Sequence, residues 1–292
     1  MAKILDSLDD FCKALGLDIS FAKTKFMVIR KPQCKIPSDL VLSCKGIDIE
    51  QVSTFKYLGV FLDENFNFKC HFDHVLKRVS SSVGMIQRNR RMLTPHMLML
   101  LINAYVNSIT DYCIVVWGPS RLCDFKSIQN KVNELLVVYN YPKMRKYYTK
   151  RFWKAQDKNS KAQAECRKEH ANIDYYRLLE KSNQLTVTER LQFFALYGVY
   201  KNLKFGSKVE RLLDFYKVKS TVSTSQRVTR GSRNCPVSDH NTSLFENSVQ
   251  YYSVKLWNSL PVSIKNFETT NSCVRSEVNQ WILDKRDDIY SV

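Results

Sequence analysis

Apolar residues recur at threes and fours over residues 4–15, where Ile4, Leu5, Leu8, Phe11, Cys12 and Leu15 predict an amphipathic helix that Gly16 ends. Within it, Asp9 and Asp10 fall between the expected core positions Leu8 and Phe11 and are assigned to the solvated face. Phe26 to Ile29 is a continuous apolar run between Lys25 and Arg30, which predicts a strand covered on both faces. Leu40 to Leu42, then Ser43-Cys44-Lys45-Gly46, then Ile47 to Ile49 has the form of a β-hairpin with a glycine-containing turn. Val52 to Asp63 alternates, with Phe55, Tyr57, Gly59 and Phe61 on one side and Leu58, Val60 and Leu62 on the other, and reads as a strand. These pieces predict a small antiparallel sheet.

From residue 66 onward the period changes to that of helices. Phe68, Phe72, Val75, Leu76, Val79, Val83 and Ile86 make one helical face, with His71, Lys77, Arg78 and Ser81 on the remainder. Thr94-Pro95 supplies an N-cap and a first-turn proline, and Leu98, Leu101, Ile102, Tyr105, Val106 and Ile109 form the next apolar face. Residues 139–168 turn polar and strongly basic, as a linker or an exposed platform would. Leu191, Phe194, Ala195 and Val199 then predict a helix, and so does the stretch from Leu244 to Leu256. Between them runs a basic Ser/Thr-rich loop, Ser220 to Arg233. The expected fold class is α+β, a small antiparallel sheet followed by a mainly α-helical remainder. It divides into 1–65 (sheet), 66–140 (helices), 141–185 (basic linker or platform) and 186–292 (helices with the basic loop).

Charge sharpens this picture. A formal charge of +17 over 292 residues, spread along the chain, favours a polyanionic partner of the nucleic-acid kind over a membrane surface. Nine cysteines without a CxxC pair read as reduced thiols of a nuclear or cytoplasmic protein, and no charged leader with an apolar core stands at Met1, so secretion is not expected. Cys70, His71 and His74 lack the second ligand pair that zinc requires. The most apolar stretch, Met97 to Trp117, is interrupted by Asn103, Asn107 and Asp111, which fits buried helices and not a membrane span.

Two linked motifs carry a resemblance. Leu17-Asp-Ile-Ser-Phe-Ala-Lys23-Thr24, with Met27 following, precedes Phe55-Lys56-Tyr57-Leu58-Gly59-Val60 by about thirty residues. The pair resembles the Lys-Thr and primer-grip segments at the end of the polymerase palm in reverse transcriptases of LINE-type (non-LTR) retrotransposons, although Ser20 stands where that family has Asn. Phe68-x-x-His71, the Arg88-x-Arg90-Arg91-x-Leu93 cluster, Tyr112 to Trp117-Gly118, and Trp257-Asn-Ser-Leu-Pro261 after Thr229-Arg230 extend it.

The resemblance implies that residues 1–65 are a palm remnant with the Lys-Thr motif and a primer-grip hairpin turning at Lys56–Gly59, and 66–140 a helical thumb, with a trailing domain beyond. The parent activity it implies is RNA-directed DNA synthesis with dNTPs and Mg²⁺, on an RNA template and a DNA primer, and the rest of the palm would be a further partner. The family's metal-binding carboxylates belong upstream of the Lys-Thr motif, and no aromatic-x-Asp-Asp turn is found here. Asp9-Asp10 follows Ser-Leu, and Asp287-Asp288 falls in a charged tail. No catalytic residue and no cofactor is therefore expected of this chain, and Lys23, which matches the family's lysine for protonating pyrophosphate, would be a relic general acid.

What remains is binding. Lys56, Tyr57 and Gly59 suit a phosphate and a close backbone approach, or equally a bulge with a core aromatic. Lys77 and Arg78 lie on a polar helix face. Arg88, Arg90 and Arg91 answer either to a duplex backbone or to the dipole at a helix C-terminus. Lys143, Arg145, Lys146 and Arg151 alternate with tyrosines and a tryptophan, as single-strand binders do, or form a basic surface over inward aromatics. Arg227, Arg230 and Arg233 recur every third residue in a phosphate-contacting loop or a tether. A non-enzymatic helical interaction protein whose charge serves only solubility is the alternative reading.

Overall fold

The structure, a computed structural model, describes residues 2–29, 40–140, 173–182, 184–205, 234–237, 239, 242–265 and 271–290. The fold is α+β, a small sheet region followed by helices, and the chain divides into two compact units, 1–73 and 74–292.

The first unit begins with helix α1 (Ala2–Ala14). Strands β1 (Lys25–Phe26), β2 (Leu42–Cys44) and β3 (Ile47–Gln51) form one sheet in the order β1-β3-β2, with β1 parallel to β3 and β2 antiparallel to it. β4 (Thr54–Tyr57) and β5 (Val60–Asp63) pair antiparallel as a separate two-stranded sheet. Both hairpins turn on two residues of positive φ, Lys45-Gly46 (48° and 81°) and Leu58-Gly59 (45° and 88°), the type I′ geometry that matches strand twist.

Several expectations need correction here. Residues 52–63 are not one strand: the alternating pattern runs unbroken through Leu58-Gly59 because a two-residue turn preserves it, and the positive φ at Leu58 and Gly59 marks the reversal. Of the apolar run Phe26–Ile29 only Phe26 joins the sheet, beside Lys25 in β1, and Ile29 is exposed. Helix α1 forms as expected, yet Ile4, Leu8, Phe11 and Leu15 face solvent, whereas Asp9 is 2% exposed. Asp9 is the inward residue because Lys45 (2.7 Å) and Lys13 (2.9 Å) both reach its carboxylate.

Helix α2 (Lys69–Asn89) carries the division between the units in its second turn, and its inward side holds Phe72, Val75, Val79, Val83 and Ile86 as the period requires. His71, expected on the polar face, is buried, and its Nδ1 accepts the Phe61 backbone N–H (3.4 Å). A 3₁₀ turn over Arg90–Met92 follows. Thr94 caps α3 (Pro95–Ile102), its side chain accepting from Met97 N at 3.3 Å.

A π-helical turn over Asn103–Asn107 then leads into α4 (Ser108–Asp111). The wider turn shifts the inward face by one residue, so Val106, Asn107 and Thr110 are buried, while Tyr105 is exposed and Ile109 only half-buried, against the simple 3.6-residue period. After α5 (Ile114–Trp117), Gly118 is required by a close approach, for a Cβ there would lie 2.4 Å from the Ile114 carbonyl oxygen.

Among the described residues, a 3₁₀ helix over Pro119–Asp124 follows, and the remaining α-helices are α6 (Phe125–Asn140), α7 (Tyr175–Lys181), α8 (Val187–Phe205), α9 (Ser243–Glu246), α10 (Val249–Asn258) and α11 (Asn271–Tyr290). The stretch from Leu244 to Leu256, expected as one helix, is two: Ser248 caps α10 by accepting from Tyr251 N, which ends α9 at Glu246. Asp287-Asp288, expected in a tail, lies in α11. Leu196, Val199 and Tyr200 of α8, Val254 and Trp257 of α10, and Val274, Val278 and Ile282 of α11 share one core with Cys235, Leu260 and Ile264. Among the described residues no helix is long and apolar enough to cross a membrane.

Candidate nucleic-acid interface

The hairpin β4–β5 presents the first group of candidate residues. Register pairs Lys56 with Phe61 and Tyr57 with Val60, which leaves Leu58-Gly59 as the tip. Tyr57 is 58% exposed and Leu58 74%, so the tip offers an aromatic ring and an aliphatic side chain to the outside. Lys56 is exposed, with its ammonium 5.4 Å from the Phe61 ring centroid, a cation–π contact that holds the lysine along the hairpin. Gly59 serves the turn (φ 88°), and that answers why glycine stands there without a bulge or a core aromatic.

The base of the hairpin is fixed by Asp63. Its carboxylate accepts the N–H groups of Asn65 (3.1 Å), Asn67 (3.1 Å) and Phe68 (2.7 Å), which carries the chain through positive φ at Phe66 and Phe68 into α2. Lys23 sits in the same unit, exposed, in a turn where the Ser20 carbonyl accepts from Lys23 N (3.0 Å), Thr24 N (3.0 Å) and Thr24 Oγ1 (2.9 Å). Ser20 thus serves this turn through its backbone.

In the second unit, Lys77, Ser81 and Arg88 are exposed along one stripe of α2, with Arg78 beside it. The Arg88 guanidinium reaches back over Gly84, where an added Cβ would stand 3.7 Å from its Nη1. Arg91 is exposed, while Arg90 donates from Nη1 to the Gln87 carbonyl (3.0 Å). The cluster therefore divides: Arg90 satisfies the end of its own helix, and Arg88 and Arg91 face outward. Lys143, Arg145, Lys146, Arg151, Arg227, Arg230 and Arg233 lie outside the described residues.

Asp9-Asp10, the acidic pair nearest the Lys-Thr motif, is engaged by cations. Lys45 contacts Asp10 (2.6 Å) and Asp9 (2.7 Å), and its backbone N–H donates to Asp6 (3.3 Å). Hydrogen bonds from Lys45 and then Lys13 hold the Asp9 carboxyl below the usual carboxylate range, and Asp10 and Asp9 raise Lys45 above the usual lysine range. No group of three or more His, Cys, Asp or Glu placed to hold a metal occurs among the described residues.

Other polar residues were invisible to periodicity. Asn258, inside the Trp257–Pro261 motif, grips the Cys235 backbone from both sides, accepting its N–H and donating to its carbonyl, each at 2.9 Å. Lys265, 1% exposed, donates to Asn234 Oδ1 (2.8 Å) and the Asn258 carbonyl (3.1 Å), and burial lowers its pKa. Asn107 bridges Asn103 (2.7 Å) and Gln184 (2.9 Å) at the π turn. The asparagines breaking the apolar run 97–117 are the one sequence signal of that network.

Neither protein-family models, nor curated proteins, nor solved structures give a match to this chain.

Proposed function

We propose that this chain is the C-terminal part of a LINE-type retrotransposon reverse transcriptase that retains nucleic-acid binding and does not itself polymerise. The observation that carries the reading is the β4–β5 hairpin, a type I′ turn lifting Tyr57 and Leu58 outward beside Lys56, in a chain of net charge +17. A cation beside an exposed ring suits a primer strand, the phosphate meeting Lys56 and a sugar or base meeting Tyr57. The outward stripe Lys77, Arg78 and Arg88 adds sequence-independent phosphate contacts. The two motifs at Lys23-Thr24 and Phe55–Val60 supply the family reading, and the ion-paired state of Asp9-Asp10 supports the absence of polymerisation.

The test is binding of a labelled RNA–DNA primer–template to the purified chain and to a Lys56→Ala, Tyr57→Ala variant, alongside primer extension with Mg²⁺ and dNTPs. The reading expects affinity to fall about tenfold in the variant, in line with one phosphate and one stacking contact, and expects no extension. Equal affinity of both proteins removes the hairpin from the interface. Template-dependent extension overturns the claim that the chain does not polymerise.

A further inference from the structure

Within the second unit, α6, α7, α8 and α11 enclose a cleft of about 520 Å³, inside the range of roughly 300–1,000 Å³ usual for small organic ligands. Lys126, Asn130 and Asn133 follow one another at i, i+4 and i+7 along α6, so one helical stripe lines the cleft with a cation and two carboxamides. Gln129 of α6 and Gln192 of α8 add two further carboxamides, and Tyr175 and Tyr176 at the start of α7 add two half-buried rings. Leu179 and Ile282 contribute the apolar lining.

Several of the polar groups here are already engaged, which narrows what the cleft can bind. Gln129 accepts from Val187 N and donates to Asn133 Oδ1, both at 2.9 Å, so Asn133 offers its N–H groups. Glu189 is neutralised by Arg286, through Nε at 2.7 Å and a second contact from Nη2. The cleft therefore presents carboxamides, tyrosine rings and the Lys126 ammonium, with Lys285 held over the Trp281 ring at 4.1 Å from its centroid and the one carboxylate masked.

We propose that this cleft receives an unstacked base of a single-stranded nucleic acid, stacked on the tyrosine pair and hydrogen-bonded by Asn130, Asn133 and Gln192. Carboxamides donate and accept at once, so they meet the Watson–Crick edge of any base, and rings accept any base face. Lys126 at the wall takes a flanking phosphate. A base still paired in a duplex cannot enter, so the cleft distinguishes single strands from duplexes. The inference rests on the nucleic-acid reading above.

The experiment measures fluorescence anisotropy of the full chain with three labelled oligonucleotides of equal length: a single strand, the same strand with abasic sites, and a duplex. An Asn130→Ala, Gln192→Ala variant is compared, its fold checked by circular dichroism. The cleft predicts that the variant binds the intact single strand about tenfold more weakly, the size of one base contact, and binds the abasic strand and duplex as the native chain does. The salt dependence of both proteins should coincide, because no phosphate contact is removed. Binding of nucleic acid with no loss in the variant and no preference for intact over abasic strands overturns the cleft alone. Binding of none of the three oligonucleotides overturns the nucleic-acid reading together with it.

Discussion

Replacing Arg286 with methionine probes the most enclosed ion pair among the described residues of the helical unit. The Arg286 side chain is 6% exposed and that of Glu189 12%, and Arg286 Nη2 also donates to the Gln184 carbonyl (3.4 Å). Removing one partner of such a pair costs about 3–5 kcal/mol, because the other charge stays enclosed without compensation. Glu189 still accepts the Thr186 N–H (2.7 Å) in a capping box with Thr186. That bond places the expected loss at about 3 kcal/mol, the low end of the range. For a unit of this size each kcal/mol corresponds to about 2–4 °C, so the melting temperature should fall by about 6–12 °C.

Combining Arg286→Met with Glu189→Gln removes the uncompensated charge and keeps a cap for Thr186, so the double variant should recover at least half of the loss. Urea and thermal unfolding of the native chain, both single variants and the double variant complete the cycle. A loss below about 1 kcal/mol for Arg286→Met, the scale of an exposed pair, would refute the reasoning. So would a double variant whose loss equals the sum of the single losses.

The hairpin tip gives an opposed pair of expectations. Leu58→Asn should stabilise by about 0.5–1 kcal/mol, since Asn tolerates positive φ better than Leu, while Gly59→Ala should destabilise by about 1 kcal/mol or more; urea midpoints decide both. Gly118→Ala should lower the melting temperature more than any exposed alanine substitution, because its Cβ would meet the backbone carbonyl oxygen of Ile114 at 2.4 Å as well as the Phe125 and Leu191 side chains. Trp257→Ala should cost about 3–5 kcal/mol as a large buried ring is lost, measured by the same unfolding curves.

The pH dependence of the first unit has a defined sign. Asp9 has a lowered folded pKa, so its contribution is present above 3.8 and lost as pH falls through the folded value. Lys45 has a raised one, so its contribution is full below 10.5 and lost at higher pH. Asp9→Asn should flatten the acid arm of the urea-midpoint profile and leave the midpoint near neutrality lower than in the native chain.

Helices were legible wherever one apolar stripe met one core. Val75, Val79, Val83 and Ile86 in α2, and Leu191, Ala195 and Val199 in α8, fall inward as their spacing dictates. The Thr94-Pro95 start was equally plain, since a cap is a local chemical fact. Three features escaped for distinct reasons. A type I′ turn at Leu58-Gly59 preserves strand alternation, so periodicity is silent about it and only the resemblance to a primer-grip hairpin pointed to a turn there. The π turn at Asn103–Asn107 inserts a register shift that a fixed period cannot express. In α1, Asp9 is buried beneath Lys45 while the apolar stripe is exposed, and that pairing between distant parts of the chain is one no local window contains.

Of the candidate site, Lys56, Tyr57, Lys77, Arg78, Arg88 and Arg91 could be named from sequence and are exposed in the structure. Arg90 could not be separated from its neighbours until its bond to the Gln87 carbonyl was known. The cleft on α6 was invisible, because Lys126, Asn130 and Asn133 read as an ordinary solvated face until α7, α8 and α11 stand opposite.

The most direct test of the central claim is the affinity of the purified chain for a single-stranded RNA and for an RNA–DNA hybrid as salt is raised. If outward cations neutralise phosphates, log K falls linearly with log salt. Three such contacts, as from Lys77, Arg78 and Arg88 of α2, give a slope of about −2 on single strands and about −3 on duplex. A flat salt response, or no measurable binding at low salt, would contradict the account and leave the chain a basic helical protein without a nucleic-acid partner.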